Sequence, residues 1–304
     1  MTAELIELSN TLAEITERVA QSVVAVHTEA RGSSSGVVWQ SGLIVTAEHA
    51  LRRDEEIEVT LPDGRVAPAT LAGRDPRTDL AVLKCEEAKL PPLNAAKSEI
   101  VDPGSLALVV GRTRASGPVA ALGIVSLVAE ERRAWTGVAL SPYILLDIGL
   151  QPTAIGGVAV DAYGSAMGLA TPRFSRFGAI AIPTPTVATV VRTLLEKGRI
   201  PLGYLGVGLQ PVRLPETLRQ SLQRQERTAA IVLDVEPNGP AHDAGIVIGD
   251  ILVSLAGRAV TRLEDIQTQL QGEAIGKSMP AKLVRGGAVR ETTIVVGERP
   301  HGTG

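Results

Sequence analysis

Between Ser22 and Leu146 the chain alternates short β-branched runs with turn chemistry, and nowhere in that span does a long helical period establish itself. The runs lie at residues 23–26, 36–39, 42–46, 57–61, 80–84, 106–110, 119–128 and 144–146. Turn residues such as Pro62-Asp63-Gly64 and Asp102-Pro103-Gly104 separate them. Many short strands without intervening helices restrict this half of the chain to antiparallel barrels or sandwiches. Only seven residues are aromatic (2 Phe, 2 Trp, 3 Tyr) although 44% are hydrophobic, so the core must be filled with Ala, Val, Leu and Ile.

Helical periodicity flanks the strands. Leu5, Leu8, Leu12, Ile15 and Val19 recur at three- and four-residue spacing with charged residues between them, predicting an amphipathic helix up to Ala20. Its apolar stripe serves either to dock on the domain that follows or to bind another chain. A second helix is expected from Thr184, a capping residue, with Pro185 first in the helix. Val187, Val190, Val191, Leu194 and Leu195 form its apolar face and Gly198 its stop. After the linker Ile200-Pro201-Leu202-Gly203 comes a smaller unit, with strands at 230–235, 251–255, 281–285 and 292–296 and two short helices near 240–244 and 262–270. A length of 304 residues agrees with about two domains. The reading is residues 1–20 as an N-terminal helix, 21–199 as a β-rich domain and 203–298 as a second domain.

Charge and composition narrow the function. Thirty Lys+Arg against 33 Asp+Glu give a net charge of −3, which supplies no electrostatic drive toward nucleic acid or an anionic membrane. Cys85 is the single cysteine, and His27, His49, His242 and His301 show no ligand spacing, so no metal or other cofactor is expected. No run is long enough for a membrane span. The acidic start Met1-Thr2-Ala3-Glu4 is unlike a secretory signal, which implies a cytoplasmic location as written, or the periplasm or envelope if the chain begins further upstream.

Two blocks carry a resemblance. Residues 42–50, Gly-Leu-Ile-Val-Thr-Ala-Glu-His-Ala, and 73–84, Gly-Arg-Asp-Pro-Arg-Thr-Asp-Leu-Ala-Val-Leu-Lys, resemble the histidine and aspartate motifs of the trypsin-like HtrA (DegP-type) serine proteases. Gly123-Ile124-Val125-Ser126 and residues 178–183 are similar to two further landmarks of that family. The resemblance implies a mainly β fold, a trypsin-like double six-stranded β-barrel. It also implies acyl-transfer chemistry in which a serine attacks, a histidine takes its proton and an aspartate orients the histidine. By motif His49 is the base and Asp79 the orienter. The family's nucleophile block, Asp-x-x-x-x-Pro-Gly-Asn-Ser-Gly-Gly-Pro, aligns with residues 147–158, Asp-Ile-Gly-Leu-Gln-Pro-Thr-Ala-Ile-Gly-Gly-Val. Asp147, Pro152, Gly156 and Gly157 coincide, and Ile155 stands at the serine.

Isoleucine has no nucleophilic atom. Thr153 and Ala154 also replace the glycine and asparagine of the oxyanion loop, and losing one oxyanion donor costs about 10²–10³ in rate. Neither Ser33, Ser34 and Ser35, assigned to an early turn, nor Ser165, after a hairpin turn, is placed to replace the nucleophile. Cys85 follows the aspartate strand. His49 and Asp79 then read either as a relic pair retained for its buried hydrogen bond or as a pair kept in use as a general base or ligand site.

The second domain resembles the PDZ domains that follow the protease in this family, a β-sandwich-like fold with two helices. Residues 201–207, Pro-Leu-Gly-Tyr-Leu-Gly-Val, are similar to the carboxylate-binding loop, and residues 239–252 to the most recognisable PDZ block. The resemblance implies that Tyr204, Leu205, Gly206 and Val207 receive a peptide C-terminus, with Ile266 and Leu270 opposite. The expected protein is thus a catalytically inactive HtrA-like binder of protein or peptide C-termini, acting as an adaptor or chaperone-like module. A homotrimer, or a mixed oligomer with an active homologue, is compatible with it. The alternative is an active serine-type endopeptidase of protein quality control.

Overall fold

The strand runs of the first half close on themselves twice. The computed structural model describes residues 2–28, 32–51, 56–93, 101–115, 117–129, 132–133, 139–140, 143–175, 177–270 and 274–299. His301 lies outside the described residues. Two compact units result, Met1–Ile200 and Pro201–Gly304.

In the first unit, β1 (Val23–Thr28), β2 (Gly32–Gln40), β3 (Leu43–Ala47), β4 (Ile57–Thr60), β5 (Val66–Asp75) and β6 (Leu80–Lys84) form a closed barrel ordered β1-β2-β3-β6-β5-β4. A second barrel takes β7 (Leu106–Thr113) and β8 (Gly117–Ala129) and, after a small pair β9 (Arg132–Arg133) and β10 (Ala139–Leu140), β11 (Tyr143–Asp147), β12 (Val158–Val160), β13 (Ala166–Thr171) and β14 (Ala179–Pro183). Its order is β11-β14-β13-β12-β7-β8, closed by β11 against β8. Ser33, Ser34 and Ser35, expected in a turn, lie in β2, where they pair with His27, Val26 and Ala25. Small polar residues suit a turn in isolation, but cross-strand pairing decides their state here.

The interior is aliphatic, as the scarcity of aromatics requires. Val24, Ile44 and Leu83 fill the first barrel, and Val109, Leu146 and Ala181 the second. A third cluster, with Val45, Leu80, Val110, Val158 and Ile182, takes in residues from both barrels and from both helices of this unit. Each buried Val, Leu or Ile contributes about 1.5–3 kcal/mol.

Helix α1 (Thr2–Ala20) buries Ile15, Val19 and Ala20 but leaves Leu5 and Leu8 exposed, so only the C-terminal half of the stripe docks. Arg112 of β7 secures that end. Its Nε donates to the Val23 carbonyl at 2.6 Å and its Nη2 to the Ala20 carbonyl at 2.7 Å. The cation thereby meets the negative end of the helix dipole, although burial pulls its pKa below the ordinary arginine value. Helix α2 (Thr184–Lys197) buries Val187, Val190, Val191 and Leu194, while Leu195 is exposed. Pro183 holds the capping position and has no side-chain acceptor, so Thr184 is the first helical residue and not the cap.

The second unit contains β15 (Gly203–Tyr204), β16 (Val207–Arg213), α3 (Glu216–Ser221), β17 (Thr228–Val235), α4 (Pro240–Asp243), β18 (Ile251–Leu255), β19 (Arg258–Ala259), α5 (Leu263–Gln269), β20 (Ser278–Arg285), β21 (Ala288–Val295) and β22 (Gly297–Glu298). The main sheet runs β16-β17-β18-β20-β21, with β19 on β18, and β15 pairs with β22. Three helices are described where two were expected. The additional one, α3, has no fully buried residue; Leu218, and Leu222 at its C-cap, pack half-buried on the cluster that holds Leu214, a face only about two turns long. Leu205, Val232, Leu255, Ile266, Leu283 and Ile294 belong to the core. Beneath it Asp250, fully buried, accepts from Arg285 Nε at 2.7 Å, Arg285 Nη2 at 2.8 Å and the Val247 amide at 2.9 Å. Burial opposes its charge, but the guanidinium and the amide outweigh that and hold the carboxyl below the usual range.

Candidate functional site

Two sets of backbone amides define the candidate sites, one in each unit. In the first, a 3-10 turn at Glu48–Ala50 presents His49 directly after β3, and Asp79 immediately precedes β6. His49 Nδ1 lies 2.8 Å from both carboxylate oxygens of Asp79. Because a carboxylate only accepts, Nδ1 carries the proton, which leaves Nε2 as the ring's other nitrogen for chemistry. Asp79 is fully buried and also receives the His49 amide at 3.0 Å and the Thr171 hydroxyl at 2.5 Å. Its φ of 58° is left-handed, which costs a non-glycine residue on the order of 1 kcal/mol. The neighbouring acid, Glu48, is engaged by Arg74 at 3.3 Å and Arg173 at 3.8 Å. No cluster of three or more His, Cys, Asp or Glu with metal-binding geometry occurs among the described residues.

The segment aligned with the nucleophile block folds as a 3-10 turn, Pro152–Ala154, followed by Ile155 in extended conformation. The amides of residues 154–157 are all bonded, three within the loop and one to β13. Ala154 N–H donates to Gln151 O at 2.9 Å, Ile155 N–H to Pro152 O at 3.3 Å, Gly156 N–H to Ala170 O at 2.9 Å and Gly157 N–H to Ala154 O at 3.0 Å. Ser35 locks the turn from β2: its hydroxyl donates to Thr153 O at 2.6 Å and accepts the Arg112 amide at 2.8 Å, while its own amide donates to Ile155 O at 2.8 Å. Gly156, at φ 78°, lies so close to β2 and β3 that a Cβ there would fall 2.4 Å from Ser35 O of β2 and 2.8 Å from Thr46 Oγ1 of β3. That contact brings the loop beside the strand that leads into His49. Thr153 sits within the turn with ordinary backbone, and Ala154 is buried.

The remaining nucleophile candidates lie elsewhere. Ser165 closes the turn between β12 and β13, where its amide donates to Asp161 Oδ1 at 2.9 Å. Cys85 is buried inside the first barrel, and burial pushes its thiol pKa up, away from the reactive thiolate. Thr171 and Ser35 had not been assigned these roles from sequence. Their partners lie 92 and 118 residues away, beyond the reach of any local spacing rule.

In the second unit the opposite holds. Leu205 is buried, and Gly206 adopts φ 74°, a left-handed turn that suits glycine. Their carbonyls are used, Leu205 O by the Ala241 amide at 2.8 Å and Gly206 O by the Glu236 amide at 2.9 Å. Their own amides donate to no backbone acceptor among the described residues. The Glu236-to-Gly206 bond, with Val207 registered on Val235, makes Val207 and Val235 a non-hydrogen-bonded pair. The Val207 amide therefore points away from β17, across the open edge of the sheet. Ile266 of α5 is buried in the core and Leu270 packs against it half-buried, while Tyr204 is half-buried beside Glu236. His242 is exposed on α4, 3.4 Å from Asp243.

Two six-stranded barrels carrying a His–Asp pair, followed by a sheet with a glycine turn at its edge, define a trypsin-like peptidase fold joined to a PDZ domain. Profiles of known families agree: the trypsin-like peptidase domain matches residues 34–169 and the PDZ domain residues 203–296. A probable periplasmic serine endoprotease DegP-like of Halomonas elongata is 30% identical over 281 residues, covering 90% of this chain and 58% of the relative. The protein of the same description from Brucella suis biovar 1 is 32% identical, covering 89% and 53%. Among solved structures, the HtrA-type protease AlgW with tripeptide superposes with a TM-score of 0.73 at 28% identity, covering 96% of this chain and 99% of that one. The serine endoprotease from Yersinia pestis gives a TM-score of 0.75 at 27% identity, covering 95% and 98%. The chain belongs to the HtrA-type family. It spans 58% or less of the length of these curated relatives.

Proposed function

We propose that this HtrA-type protein is catalytically silent and works by binding the C-termini of proteins or peptides through its PDZ domain, as an adaptor or chaperone-like module. The observation that carries the reading is the contrast in backbone amides. Where acyl transfer needs free donors for an oxyanion, the amides of residues 154–157 are already bonded, three within the loop and that of Gly156 to Ala170 of β13, and Ile155 stands at the aligned nucleophile. Where peptide capture needs free donors, the amides of Leu205, Gly206 and Val207 are offered at a sheet edge. Solved structures described as HtrA-type protease AlgW with tripeptide or decapeptide support the second half, since they pair this fold with bound peptides. On this reading His49 and Asp79 persist because removing one strands the other, a loss of about 1–3 kcal/mol.

A second reading rests on two observations. The His49–Asp79 pair is intact, and the curated relatives are described as serine endoproteases. It makes the chain a working endopeptidase, and it predicts cleavage of casein that disappears on Asp79→Ala. The adaptor reading predicts no cleavage. It also predicts that the full chain captures apolar peptides with free C-termini from a randomised library, and that Gly206→Asp weakens this capture about tenfold or more, because a side chain at φ 74° and a second carboxylate both oppose the peptide. Binding unchanged in Gly206→Asp would leave neither amide set in use. The N-terminal helix, with Leu5 and Leu8 exposed, is compatible with a homotrimer or a mixed oligomer with an active homologue.

A further inference from the structure

Building on the peptide-binding reading, we infer that Pro211 limits the groove to reading about the last four residues of its peptide. Strand β16 turns alternate backbone groups outward. At one end, Val207 and Val235 form a non-hydrogen-bonded pair, as the Glu236-to-Gly206 bond requires. At the other, Leu214 N–H donates to Arg227 O at 2.8 Å while Arg213 is registered on Thr228, which makes that pair non-hydrogen-bonded too. Both ends give the same alternation: the carbonyls of residues 207, 209, 211 and 213 and the amides of 207, 209 and 213 face the free edge, and the amides and carbonyls of 208, 210 and 212 face β17. The register shift between Gly208 and Leu209 places the extra residue on β17 and leaves the alternation of β16 intact.

Proline at 211 is therefore tolerated by the sheet, because the missing N–H is one that β17 does not need. An incoming strand does need it. With the carboxylate on the amides of residues 205–207, an antiparallel peptide pairs its last residue with Val207, its third-last with Leu209 and its fifth-last with Pro211. The third-last residue exchanges two hydrogen bonds with Leu209. The fifth-last finds the Pro211 carbonyl but no donor for its own C=O. Main-chain pairing, which in strand addition supplies the sequence-independent part of affinity, is thus truncated at that point, and a longer peptide gains only through side chains.

The test uses the full chain and N-acetylated peptides with free C-termini, all ending in the tightest tripeptide selected from a randomised library, either as that tripeptide or extended upstream by three alanines. Affinities are measured for wild type and Pro211→Ala. In wild type the alanine extension is expected to change Kd by less than about threefold, whereas in Pro211→Ala the extended peptide is expected to tighten by about two- to tenfold, as one restored hydrogen bond allows, with the tripeptide unchanged. Equal gains from extension in both proteins, or no gain in Pro211→Ala, would overturn the role of Pro211, including the case in which the proline only blunts the edge against pairing with another chain. Failure of every library tripeptide to bind, or equal binding of C-terminally amidated peptides, would instead overturn the peptide-binding reading beneath it.

Discussion

Asp79 is tied into the fold independently of any chemistry at His49. It is fully buried, adopts a left-handed backbone and receives hydrogen bonds from His49 and Thr171. Its replacement by alanine strands those donors, and a loss of about 1–3 kcal/mol in urea unfolding is expected. The same reasoning separates Ile155 from its surroundings. Ile155→Ser alone should give no peptide hydrolysis, because the Ile155 and Ala154 amides stay bonded within the turn. Ile155→Ser combined with Thr153→Gly and Ala154→Asn should give weak hydrolysis, and strong activity from the single change, read with a fluorogenic peptide, would contradict the account. His49 and Asp79 were legible because each sits in a local motif. Ser35 and Thr171, which hold the loop and the carboxylate, were not, because the fold alone joins them to partners far along the chain.

At the scale of elements, periodicity located the long helices and mistook their details. The stripe on α1 was visible, yet the sequence carries no sign that only Ile15, Val19 and Ala20 would be covered, since that depends on Arg112 and the barrel surface it comes from. Arg112→Met keeps the stem and removes the hydrogen bonds to Ala20 and Val23. It should cost about 2 kcal/mol in denaturant unfolding and loosen α1, seen as faster amide exchange in its last turn. Short elements of mixed composition such as α3 and β5 escaped because their signals are brief: α3 shows only Leu214, Leu218 and Leu222 at four-residue spacing, too few turns to stand out from a loop. The Asp250–Arg285 pair carries a pH signature. A carboxyl held below its ordinary pKa in the folded state stabilises fully above the unfolded value of about 4, and that stabilisation is lost as pH falls through the lowered folded value. Asp250→Asn should therefore lower the unfolding midpoint at pH 7, and its deficit relative to wild type should shrink below about pH 4.

For the whole molecule, strand patterning and the scarcity of aromatics restricted the fold class, and the glycine-rich blocks pointed to the second domain. What they left open was the use made of each domain. The two domains differ in their hydrogen bonds: the amides of residues 154–157 are bonded within the loop or to β13, while residues 205–207 turn theirs outward. The most direct test of catalytic silence is to treat the full chain with an alkyl fluorophosphonate and measure its intact mass, with His49→Ala as the control. The account predicts no adduct on either protein. An adduct on the wild-type chain that disappears in His49→Ala would contradict it.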